Sequence, residues 1–112
     1  MSLSLRRAGA FIGDFDHEFR WYLAEAGEIV ARRYLDAVWK SLEGLAAQPG
    51  LGKLRSFPHP ALRGLRSFRV APPFDVHLIF YRYTETELFA KRIMSGRRDL
   101  PRRLRESPGA SD

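Results

Sequence analysis

The 112-residue chain reads as an α+β domain, a two-helix hairpin laid on one face of a small, mainly antiparallel sheet. Three observations carry this. Two consecutive segments repeat apolar residues at helical spacing, with a single glycine between them. A loop rich in proline and glycine follows, and after it come three apolar runs of strand length. The links between those runs are short, so neighbouring strands must pair antiparallel.

The elements follow in order. Leu3 and Leu5 alternate with Ser2, Ser4 and Arg6, a short strand signal. Phe11, Phe15, Phe19, Tyr22 and Ala26 then mark one helical face. Asp14, Asp16, Glu18, Arg20 and Glu25 are assigned to the wet face of the same helix. Gly9 and Gly13 weaken its start, each by about 1 kcal/mol against alanine. Gly27 supplies the stop. A second helix is marked by Ala31, Tyr34, Leu35, Val38, Leu42, Leu45 and Ala46, and Pro49-Gly50 ends it. Residues 51–64 read as a loop and 65–70 as a strand, broken by Pro72-Pro73. Residues 76–83 are apolar at nearly every position, so this strand is central and covered on both faces. A polar turn over 84–87 leads to the last strand, 88–95, and to a basic segment, 96–104, with room for one helical turn.

One domain over residues 1–104 with a short tail over 105–112 is the expected organisation. Phe15, Phe19, Leu35, Val38, Leu42, Leu78 and Phe80 are the expected core. The hairpin covers one sheet face, and the large side chains left on the other predict a binding surface. No cysteine is present, which excludes disulfides and thiolate metal sites. The chain has neither a signal-peptide pattern nor an apolar run of membrane length, so the cytoplasm is the expected compartment. No pair of the three histidines has metal-ligand spacing, and neither a metal nor another cofactor is expected.

The net charge of +6 is one patch. Residues 91–105 hold seven basic residues and one acid, Asp99; the remaining twelve basic and twelve acidic residues cancel. Such a patch favours a polyanion, either nucleic acid or an acidic protein surface.

Five segments, in order, resemble toxins of the ParE branch of the RelE/ParE superfamily. They are Ala31-Arg32-Arg33-Tyr34-Leu35-Asp36-Ala37-Val38, Ser41 to Gly52 with its proline and three glycines, Gly64-Leu65-Arg66-Ser67-Phe68, Leu78-Ile79-Phe80-Tyr81-Arg82, and Gly96-Arg97-Arg98-Asp99-Leu100. The resemblance implies the toxin of a type II toxin–antitoxin pair. Its partners would be a small ParD-like antitoxin in a heteromeric complex, DNA gyrase as the target, and operator DNA through the antitoxin. No membrane is implied. Target binding then falls to Arg92, Arg97 and Arg98, with Asp99 orienting them through an ion pair. Arginine suits the role because its planar fork grips a carboxylate or phosphate at two points. Arg66, Arg69, Arg82, Tyr81 and Tyr83 are the expected contacts to the antitoxin or another polyanion.

The RelE branch of the same superfamily cuts ribosome-bound messenger RNA, so fold does not choose the function. Cleavage needs a base, an acid and cations. Asp99-Leu100 stands where some ribonuclease relatives carry histidine and tyrosine, and Ser95 where many ParE-type members carry histidine. His77, with Arg82, is the pair that could revive a ribonuclease. A binding poison is the preferred reading; a member that is not toxic and only holds its antitoxin is a third.

Overall fold

A computed structural model describes residues 2–96 and 99–108. The elements are β1 (Ser4–Arg7), α1 (Gly9–Ala26), α2 (Glu28–Ala47), β2 (Lys53–Leu54), β3 (Arg66–Arg69), β4 (His77–Tyr83), β5 (Glu87–Ser95) and α3 (Leu100–Arg103). Single 3-10 turns at Pro49–Leu51 and Pro60–Leu62 flank β2. The sheet order is β1-β5-β4-β3-β2. β1 lies parallel to β5, and every other pairing is antiparallel. The expected α+β architecture is therefore present, with β4 central.

Gly27 makes the hairpin possible. At φ 92° it turns the chain between the helices, donates its N–H to Tyr22 O, and offers its own carbonyl to Ala31 N. The hairpin then buries Phe11, Tyr34, Val38, Leu42 and Leu45 against Ile79, Tyr81, Leu88, Ala90 and Ile93 of the sheet. Phe15 and Phe19 sit half-buried at the margin of this core. Their rings stack on each other and, for Phe15, on Tyr34.

Leu35 departs from expectation. It is 41% exposed, because the buried face of α2 runs through Ala31, Tyr34, Val38, Ser41/Leu42 and Leu45 and leaves position 35 to one side. The second correction concerns the far sheet face. It is not bare: Leu78, Phe80 and Met94 are covered by Phe57, Leu62 and Leu65 of the loop and by Leu100 and Leu104 of the C-terminal segment. Together they form a second core, so the surface predicted there for a partner is occupied by the chain itself. Residues 105–108 stay against the fold, since Arg92 holds the carbonyl of Glu106 and Pro108 abuts Gly13.

Candidate functional site

The basic segment at the C-terminus is anchored from β5 and α1. A bulge between the Phe80 and Tyr81 pairings shifts the register of β5, so Phe80 faces Arg92 while Tyr81 faces Ala90. β1 stops pairing at Ala90. There α1 takes over the open edge: the Asp14 carboxylate accepts the Ile93 N–H at 3.1 Å. The same carboxylate accepts Arg92 Nε at 2.7 Å and Arg92 Nη2 at 2.8 Å, a bidentate pair. Arg92 Nη1 donates to Leu104 O at 3.1 Å and to Glu106 O, with Arg103 O at 3.4 Å. One guanidinium therefore joins α1, β5 and the C-terminal segment.

Arg92 is 7% exposed and Asp14 6%. This corrects two expectations: Arg92 cannot itself grip a target, and Asp14 is not on a wet face. Helical spacing carried the missed signal, since Asp14 lies three residues after buried Phe11, on the same side of the helix. Asp99 is exposed and takes a left-handed φ of 64° at the start of α3. Among the described residues it pairs with Arg102 at 3.8 Å, and Arg102 also binds Glu106 at 2.8 Å. Arg103 donates to Ser95 O at 3.0 Å and so closes the base of the loop between β5 and α3. Arg97 and Arg98, the chief target-binding candidates, lie outside the described residues.

Most of the other predicted cations hold backbone. Arg82, on the far face, donates to Ala61 O and Arg63 O at 2.7–2.9 Å. Arg66 donates to Gly52 O at 2.8 Å and lies over the Tyr83 ring. Tyr81 is fully buried; its hydroxyl accepts from Gly52 N at 2.8 Å and donates to Pro49 O at 2.7 Å. It ties the loop after α2 to the sheet and has no surface to offer a partner. Arg69 and Tyr83 are exposed, and Arg69 also donates to Asp75 O.

Of the histidines, His17 is exposed on α1, and His59 accepts the Ala61 N–H at 3.1 Å in its loop. His77 sits in the helix-side core, its Nε2 2.9 Å from the Tyr22 hydroxyl and its ring 5.0 Å from that of Tyr34. Its Nδ1 and the Tyr34 hydroxyl have no partner among the described residues. Strand alternation points His77, Ile79 and Tyr81 toward the helices and Leu78, Phe80 and Arg82 away from them. The pair proposed for a ribonuclease thus stands on opposite faces of the sheet, and the imidazole is buried.

Burial lowers the His77 pKa from 6.5 to about 4. The folded protein keeps the ring neutral, while the unfolded chain protonates it below about pH 6.5. More protons are then bound by the unfolded state between these values, so stability falls as pH drops through that window. The expected loss is up to roughly 3 kcal/mol, levelling off below about pH 4. Urea unfolding against pH, for the parent and His77→Gln, checks this. The variant is expected to show the shallower slope; equal slopes would contradict the assignment.

A groove of about 580 Å³ opens between α2 and the end of β3. Its floor includes Ala37, Gly44, Phe68, Phe74 and the Pro72-Pro73 turn, and its rim carries Arg33, Lys40 and Arg69 against one acid, Asp36. β2 pairs with β3 only at Arg66 and Ser67, so among the described residues the outer edge of β3 beyond Ser67, beside this groove, has no strand against it. No helix among the described residues is long and apolar enough to cross a membrane.

Comparison with known proteins agrees with this architecture. The family described as "ParE toxin of type II toxin-antitoxin system, parDE" matches residues 5–100. A solved chromosomal ParDE toxin–antitoxin system from P. aeruginosa superposes with a TM-score of 0.68 at 19% identity, over 84% of this chain and 96% of the other. YafQ from E. coli is more distant, with a TM-score of 0.40 at 15% identity, over 84% and 93%. No curated protein sequence matches the chain.

Proposed function

Since this chain belongs to the ParE toxin family of type II toxin–antitoxin systems, we propose that it arrests growth by binding DNA gyrase and is silenced by a cognate antitoxin. The observation that carries the choice of a binding poison over a ribonuclease is the seclusion of His77. Its imidazole is 3% exposed, neutral at physiological pH, and on the sheet face opposite Arg82. General acid–base catalysis needs such a group within hydrogen-bond reach of the substrate.

The cationic groove between α2 and β3 is the surface proposed for the antitoxin. Its apolar floor and the rim of Arg33, Lys40 and Arg69 complement an acidic segment with alternating apolar residues. A disordered antitoxin tail would fold as it docks there, and the ordering cost is offset by the buried apolar area.

The test has two arms. Purified toxin is added to DNA gyrase and supercoiling is followed. In parallel, ribosome-bound messenger RNA is mapped for cuts after induction. Inhibited supercoiling, uncut messenger RNA and relief by the product of the neighbouring gene are the expected results. Specific cuts alongside normal gyrase activity would make the protein a ribonuclease of the RelE kind.

A further inference from the structure

We propose that the Gly13–Asp14 step of α1 is a seat that positions the basic C-terminal segment for its target. This rests on the proposed function, in which that segment meets gyrase. The seat has two independent parts. Asp14 holds Arg92 in a bidentate grip, and Arg92 in turn holds the carbonyls of Leu104 and Glu106. Next to it, Gly13 lets the segment cross α1. A Cβ built at Gly13 would lie 2.8 Å from Pro108 Cγ and 3.0 Å from Pro108 Cβ, closer than packed carbons tolerate.

Stability alone does not explain this arrangement. Glycine inside a helix is a local penalty, and the carboxylate is taken out of water to serve one guanidinium and one backbone N–H. Both features have the same consequence: residues 99–108 lie in one attitude against α1. Arg103, bonded to Ser95 O, and Leu100 and Leu104, packed on Leu78, Phe80 and Met94, complete the frame. Asp14 and Gly13 touch no target in this scheme; they act through the segment.

Gly13→Ala separates positioning from stability, because alanine favours the helix while its methyl displaces Pro108. In hydrogen exchange, the Arg103 and Leu104 amides, bonded to the carbonyls of Asp99 and Leu100, are expected to exchange faster while β4 amides keep the parent rate. The toxin concentration that half-inhibits gyrase supercoiling is expected to rise roughly tenfold, the factor that 1.4 kcal/mol represents. Adding Pro108→Gly, which removes both clashing atoms, restores inhibition toward the parent. Asp14→Asn is the second variant and is expected to shift both readouts in the same direction as Gly13→Ala. Gly13→Ala with parental inhibition, or with unchanged exchange at Arg103 and Leu104, would overturn the proposal. A parent that arrests growth without touching supercoiling removes gyrase instead. The seat is then judged by growth arrest, and equal arrest by parent and variant overturns it. A parent with neither effect defeats both readings.

Discussion

Replacing Arg92 with alanine is expected to destabilise the fold by about 3–5 kcal/mol, the usual cost of removing one partner of a buried ion pair. Asp14 would be left buried with the Ile93 N–H as its remaining hydrogen-bond donor. The carbonyls of Leu104 and Glu106 would each lose a guanidinium donor. A small domain holds about 5–15 kcal/mol in total, so this one change removes a large share. Arg92→Lys should recover little, because an ammonium on a flexible stem cannot grip the carboxylate at two points while reaching the C-terminal carbonyls. The double variant Asp14→Asn/Arg92→Met should be less damaged than Arg92→Ala, since it leaves no unpaired charge. The exposed pairs Arg20–Asp16 and Arg32–Glu28 serve as controls, and breaking either should cost no more than about 0.5 kcal/mol. Urea unfolding at pH 7 measures all of these. A loss below about 1 kcal/mol for Arg92→Ala would mean that the anchor is not structural.

The same pair shows where sequence reading stops. The helices and β4 were legible because their signals are local: apolar residues at three- and four-residue spacing, or a run such as Leu78-Ile79-Phe80-Tyr81 bounded by turns. Asp14 was misread because its partner lies 78 residues away and no local pattern announces it. Its helical phase with Phe11 hinted at burial, but a carboxylate in an apolar stripe has no interpretation until a cation is found for it. Leu35 failed for the opposite reason. Its composition suits a core, yet Tyr34 and Val38 already fill the narrow face that α2 turns inward.

The arginines mark a further limit. Arg66, Arg82, Arg92 and Arg103 were legible only as positive charge, and each proves to donate to backbone carbonyls of the chain itself. A sequence does not show whether a guanidinium faces solvent or closes a loop. Leu100 and Leu104 did carry a signal in their four-residue spacing on either side of Pro101. That spacing presents two apolar side chains on one side of a single turn, enough to close the second core over Phe80. The two-residue strand β2 was too short to leave any pattern.

With Arg92 internal, the cations proposed to meet the target narrow to the pair between Gly96 and Asp99. Arg97→Ala/Arg98→Ala is therefore expected to abolish growth arrest and to raise the concentration for half-inhibition of supercoiling by about a hundredfold or more. Each guanidinium bonded to a carboxylate or phosphate contributes about 1.5–3 kcal/mol, and two such losses together span that range. Arg97→Lys/Arg98→Lys separates charge from geometry. Lysine keeps the field that draws a polyanion in but lacks the planar fork, so an intermediate loss is expected if bidentate contacts matter. Salt gives a third reading: screening should weaken the lysine form more steeply than the parent, because point charges depend more on the unscreened field. Circular dichroism and the unfolding midpoint must match the parent, so that inhibition is compared at equal folded concentration. A folded double-alanine variant that arrests growth as the parent does would move the target-binding role away from this motif, and the exposed Arg69 and Tyr83 would be the next residues to test.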